Sequence, residues 1–189
     1  MFTRTKTRRT AVQLGLVVLL AAGGGLLGGS RYATDMVRDQ LVAQRITFPP
    51  KGPALSPEKY PGLQRYAGRT VDDGPKAKAF ADQYIAAHLK NIADGKTYSE
   101  VSAASRANPD DRRLAGQRQA LFEGETLRGL LLSAWGWSVV ARIAGIAAYA
   151  AFAGAGLLLL GAIAVALARS ERRSEIPAGP DLAGIGLPA

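Results

Sequence analysis

Residues 124–173 read GETLRGLLLSAWGWSVVARIAGIAAYAAFAGAGLLLLGAIAVALARSERR, and the topology turns on one residue in them, Arg142. Ile143 to Ala168 is a run of 26 residues without a charge. As a helix it crosses a hydrocarbon core of about 30 Å with no help from Leu130–Ala141. A span beginning at Leu130 would instead put Arg142 near mid-bilayer, which is costly, and leave much of 151–168 outside the lipid. A start near Arg142 removes that cost, because the guanidinium snorkels to the headgroups. Trp135 and Trp137 then fall just outside, where an aromatic belt forms. Trp135, Trp137 and Arg142 are therefore the candidate membrane-interface residues. The competing reading keeps Arg142 within the membrane, facing a partner or a water-filled cavity.

A second apolar run lies near the N-terminus. Ala11 to Gly29, AVQLGLVVLLAAGGGLLGG, has 19 residues and no charge, and reaches roughly 28 Å as a helix. Residues 1–10 carry Arg4, Lys6, Arg8 and Arg9 and no acid. A cleaved signal peptide shares this basic start and apolar middle, and Ala21 to Gly25 are small enough for cleavage. The run is long for such a leader, and RYATDMVRDQLVAQR continues the helical pattern after it, which favours an uncleaved anchor. Arg169, Arg172 and Arg173 follow the second run. Positive charge thus stands beyond the N-terminal end of one span and the C-terminal end of the other, so both termini are expected in the cytoplasm. Residues 30–142 then lie outside it, in a multi-pass protein of the cell membrane. Arg31 and Arg38 blur the signal, interleaved with Asp35 and Asp39. Both spans are rich in small residues. Gly24 with Gly28, and Gly25 with Gly29, form overlapping GxxxG pairs, and Gly154 and Gly161 lie in the second span. Such residues let helix backbones approach closely in lipid. They are candidate packing positions, first of all between the chain's own spans; a membrane-protein partner or a second copy would use the same kind of face.

Between the spans, Met36, Val37, Leu41 and Val42 recur at helical spacing, and prolines then break the pattern. Pro49, Pro50, Pro53, Pro57, Pro61 and Pro75 forbid a continuous helix over 47–75. Phe48, Leu55, Tyr60, Leu63 and Tyr66 favour a strap packed over the helices; a disordered segment is the alternative. Ala77, Phe80, Ala81, Tyr84, Ile85, His88, Leu89 and Ile92 mark one face of a helix that starts at Pro75 and stops at Asp94-Gly95. Thr97 and Glu100 fit a capping box. Asn108-Pro109-Asp110-Asp111 reads as a further helix start, with Asn108 as the cap. From there a helix can enter the second span, with Gly124, Gly129 and Gly136 as sites for a bend.

Composition removes several function classes. There is no cysteine, hence no disulfide and no thiolate chemistry, and His88 is the sole histidine. A lone histidine beside an apolar face is usually a packing residue. Asp72-Asp73 and Asp110-Asp111 suit a turn and a helix dipole better than catalysis or metal binding. No phosphate-binding loop and no GxSxG elbow is present. Formal charge is +9, but between residues 30 and 142 the 17 basic and 12 acidic residues are dispersed. That pattern disfavours nucleic acid and leaves anionic headgroups or an acidic polymer as attracted species.

The phrases ITFPP (46–50), YAG–TV (66–71), AKAFADQYIAAHLKNIADGKTYSEV (77–101), ANPDD (107–111) and LFEGETLRGLLLSAWGW (121–137) together resemble a family of uncharacterised two-pass envelope membrane proteins of bacteria. The resemblance covers most of 30–140 and both spans, and implies no biochemical role. Relatives of this layout have carried the label aromatic ring-opening dioxygenase. Such an enzyme needs iron, commonly held by two histidines and a carboxylate. One histidine does not supply that, so no catalytic residue is carried over.

The expected fold is all-α: a two-helix transmembrane hairpin over 11–29 and 143–168, a helical extracytoplasmic domain over 30–142, and a disordered cytoplasmic tail over 169–189. The expected function is non-enzymatic and cofactor-free, that of a small envelope subunit, scaffold or accessory factor whose expected partner is the lipid bilayer. The alternatives are an envelope sensor or a lipid- or polymer-binding module using the 47–75 strap, and an enzyme working without a histidine pair.

Overall fold

The computed structural model describes the backbone from residue 3 to 174 and side chains from residue 9 to 171. All regular structure among these residues is helical, apart from one isolated antiparallel bridge between Thr47 and Thr70. The helices are α1 (Thr3–Ala43), α2 (Gly74–Ala79), α3 (Ala86–Ile92), α4 (Tyr98–Ala107) and α5 (Arg112–Ser174). α5 runs through Gly124, Gly129 and Gly136 without a break. It also carries through Arg169 to Ser174. The rest of the expected tail, 175–189, lies outside the described residues. α1 and α5 are both long and apolar enough to cross a membrane.

The chain divides into two compact units, one of residues up to 25 together with those from 147 onward, the other of residues 26–146. In the first unit α1 and α5 run antiparallel. A Cβ on Gly15 would stand 3.6 Å from Leu158, and one on Gly154 would stand 3.6 Å from Leu19. Gly23 is the tightest crossing: a Cβ there would come within 2.8 Å of the Phe152 ring. Buried positions on α5 here are alanines, Ala148 and Ala155, set seven residues apart. A seven-residue repeat holds one stripe against a neighbouring helix, and alanine lets that neighbour come close. Most large apolar side chains of this unit are exposed, Leu14, Val17, Leu157 and Leu160 among them.

The second unit has an ordinary core. Phe48, Leu55, Leu63, Val71, Val101, Leu121 and Leu131 are the largest side chains wholly removed from solvent. Residues 46–71 enter and leave at one place. Phe48 N–H donates to Arg69 O at 2.9 Å, Val71 N–H to Ile46 O at 2.8 Å and Gly68 N–H to Pro49 O at 3.1 Å. Between these ties the prolines direct two short 3₁₀ turns, Pro53–Leu55 and Pro61–Tyr66. Proline at the first position of each loses no hydrogen bond, and its fixed φ suits the turn. The strap's apolar residues face in. Phe48 stacks on Tyr66 at 5.2 Å and meets Phe80 edge-on at 5.0 Å, while Tyr60 packs against Tyr84 at 5.5 Å. Gln64 holds the apex by donating to Leu55 O at 2.7 Å and Tyr60 O at 3.2 Å.

α2 and α3 are joined by a π-helical turn, Phe80–Ile85, which periodicity alone does not reveal. Its Ala81 carbonyl accepts from Ala86 N–H and also from Arg128 Nε of α5 at 3.1 Å. Arg128 further pairs with Asp82 at 3.5 Å and Glu125 at 2.8 Å, fixing α5 to this turn. The helix ends at Asp94 and Gly95, both with positive φ, where Gly95 N–H returns to Lys90 O. α4 opens with the capping box: Thr97 N–H donates to Glu100 at 2.7 Å and Glu100 N–H to the Thr97 hydroxyl at 3.3 Å. The cap of α5 is Asp111, not Asn108. The Asp111 carboxylate accepts from Arg113 N–H at 2.9 Å and Leu114 N–H at 3.1 Å. Asn108 instead closes α4, donating its amide to Ala104 O, and Pro109-Asp110 makes the turn between. An anionic carboxylate is the better acceptor at the positive end of so long a helix.

Candidate functional site

The polar groups of the second unit converge where the strap leaves for α2. Asp73 is the N-cap of α2, accepting from Lys76 N–H at 2.8 Å. The Lys76 ammonium bridges Asp72 and Asp73, the latter at 2.9 Å. The hydrogen bond from Lys76 holds the Asp72 carboxyl below the usual carboxylate range, with Arg38 adding a smaller pull. The same contacts push Lys76 up. Both acids are thus committed to holding a helix start.

Gly74 explains why this turn can sit where it does. A Cβ there would overlap the Ser138 hydroxyl and stand 3.3 Å from Trp135 Cα. Only a bare backbone fits against α5 at this point. The result is a cleft of about 620 Å³ floored by Gly74, Pro75 and Ser138 and walled by Thr34, Val37 and Arg38 of α1, by Asp72, Asp73 and Lys76, and by Arg142 of α5. The Thr34 and Ser138 hydroxyls donate to Ser30 O at 2.8 Å and Trp135 O at 2.7 Å, so their protons are already placed. Arg38 and Arg142 are exposed, and neither makes an ion pair or hydrogen bond among the described residues.

Arg142 is the one candidate interface residue that lies in the cleft. Trp135 is half-buried beneath the Lys78 ammonium, 4.5 Å from its ring, while Trp137 is exposed beside a smaller cavity with Met36, Gln40 and Leu130. The packing glycines divide. Gly154 faces Leu19, but Gly24, Gly25, Gly28, Gly29 and Gly161 have nothing within 4 Å of an added Cβ. The GxxxG pairs therefore do not form the contact between the chain's own spans. That contact uses Gly23 against Phe152, together with Gly15 against Leu158 and Gly154 against Leu19. Gly161 lines a separate cavity of the first unit, about 610 Å³, with Leu157, Val165, Arg9 and Arg169. The two basic flanks of the spans thus stand at one end of that unit.

His88 is exposed, and among the described residues no three of His, Asp and Glu gather closely enough to hold a metal ion. Ser99 is exposed; Ser102 is buried and accepts from Arg106 at 2.8 Å, with no base beside either. Arg38, Gly74 and Lys76 went unmarked in the sequence because Arg38 is far from the other two in it and none belongs to a motif. Interleaved with Asp35 and Asp39, Arg38 registers in the sequence only as a charge that blurs the topology signal. Comparison with protein-family models, with curated proteins and with solved structures gave no match.

Proposed function

We propose that the chain is a non-enzymatic integral membrane protein of the cell envelope, a two-span hairpin with both termini in the cytoplasm. Residues 30–142 form its extracytoplasmic domain, which serves as a small subunit, scaffold or accessory factor and works through its helical surfaces. The carrying observation is where the apolar residues point. The most apolar 18-residue windows of α1 and α5 are each 6% buried within the molecule, whereas a core helix of a soluble protein is mostly covered. Meanwhile Asp72, Asp73, Asp82, Glu100 and Asp111 all serve as caps or ion-pair partners. That leaves no idle acid–base pair among them to support catalysis.

Single-cysteine accessibility in intact cells tests the topology, and the cysteine-free chain makes it clean. S99C should label with a membrane-impermeant reagent and S174C should not. The reverse pattern would place 30–142 in the cytoplasm and move the search for partners there. Crosslinking in cells, followed by identification of captured envelope proteins, tests the scaffold role; a lone monomer in mild detergent with nothing captured sinks it.

A second reading, a lipid- or polymer-binding module, draws on the cleft. The body of the 47–75 strap is closed on itself with its apolar side chains inside, so the binding role falls to its exit at Asp72–Lys76. Here an anionic envelope ligand should slow amide exchange at 72–76; unchanged exchange counts against it.

A further inference from the structure

We infer that the cleft between Arg38 and Arg142 is a binding site for the phosphate of an anionic lipid headgroup. Its three cations face two carboxylates, and the carboxylates are held by Lys76. The two guanidinium groups make no ion pair or hydrogen bond among the described residues, Arg38 acting on Asp72 only at longer range. A guanidinium presents a fork of N–H donors that matches two phosphate oxygens at once. With the Thr34 and Ser138 hydroxyl protons engaged by backbone carbonyls, recognition rests on the arginines.

The lipid, rather than a soluble phosphate, follows from what adjoins the cleft. Arg142 is the last charge before the 26 uncharged residues of 143–168. Ile146 lies one helical turn further along the same face and Ile143 beside it; they are 63% and 61% exposed. A phosphodiester on Arg142 would thus set its acyl chains along outward-facing isoleucines. This rests on the membrane reading above, with the span beginning near Arg142.

The test uses the full chain, purified in detergent and stripped of lipid, with thermal unfolding followed as ligand is added. The probes are phosphatidylglycerol, phosphatidylcholine and glycerol 3-phosphate; the proteins are wild type, R38Q/R142Q and R112Q/R113Q. R112Q/R113Q removes two exposed arginines at the start of α5, away from the cleft. Phosphatidylglycerol should raise the midpoint of wild type and R112Q/R113Q, and phosphatidylcholine should not. For R38Q/R142Q the apparent affinity for phosphatidylglycerol should fall by about tenfold or more, the scale of one lost charge-assisted contact. Its lipid-free midpoint should match wild type, since both side chains are exposed and unbonded; R142K, which keeps the charge but not the fork, should fall between. Equal protection of wild type and R38Q/R142Q by phosphatidylglycerol overturns the site. Equal protection by glycerol 3-phosphate overturns the lipid in favour of a soluble phosphate. Alkaline carbonate extraction of cell membranes separates the two readings: release of the chain removes the membrane reading, whereas a retained chain indifferent to phosphatidylglycerol removes only this one.

Discussion

The two units use apolar residues in opposite ways. In residues 26–146 a core of large side chains lies inside, and small ones mark where backbone meets helix, as Gly74 does against Ser138. In the first unit the buried positions among the described residues are Gly23, Ala148 and Ala155, and most of the large side chains face out. Water explains the first pattern, since removing a large apolar side chain from it stabilises by about 1.5–3 kcal/mol. Between helices in lipid that driving force is absent, and close approach of small residues takes its place. On the proposed membrane reading, one chain is fitted to two solvents.

The sharpest way to break this contrast is to truncate one leucine in each unit. Leu63 is fully buried in the strap core and Leu160 is 64% exposed. L63A should cost about 2–5 kcal/mol, read as a large fall in the unfolding midpoint in detergent. L160A should leave the midpoint nearly unchanged. Comparable losses would mean that the outward face of α5 is covered by something else.

Glycine substitutions sharpen it next. G74A forces a methyl into Ser138 and should cost about 1–3 kcal/mol, with amide exchange speeding up over 72–80. G24A meets nothing within 4 Å and should be neutral or stabilise by about 0.5–1 kcal/mol, because alanine is the better helix former. If G24A instead lowers stability or changes the oligomeric state, the GxxxG face belongs to an interface with another chain.

The smallest effect is electrostatic and confined to the second unit. Asp72 is held low by the hydrogen bond from Lys76, so its pKa is lower in the folded state than in the unfolded one. The stability it contributes is therefore present above the unfolded carboxylate value and fades as pH falls through the lower folded value. D72N should lower the midpoint slightly at neutral pH, and the gap from wild type should close in acid. A gap that widens in acid would reverse the assignment. Lys76 shifts the other way, so its contribution is lost only as pH rises through its raised folded value.

What could be read from the sequence was local. The strap's inward residues, the helix stop at Asp94-Gly95 and the Thr97–Glu100 box each rest on neighbours within a few positions, and periodicity or side-chain chemistry reveals them. The cap of α5 misled because Asn108 and Asp111 both suit a helix start and only one can stand at the first turn. The glycines misled because GxxxG names a spacing and not a direction; Gly24, Gly25, Gly28 and Gly29 face away from the other span. The cleft was invisible for a different reason. Arg38, Lys76 and Arg142 are brought together by a glycine whose close approach no pattern announces.

The strap has one more property. Its apex, Pro57 to Lys59, is exposed, but the chain is anchored on either side: Phe48 and Leu55 before it, Tyr60, Leu63 and Val71 after it. A cut at Lys59 would therefore leave two fragments still clasped by a shared core, and a short epitope inserted there would add length without moving either helix. The part of the molecule most broken by proline is thus a good place to open the chain.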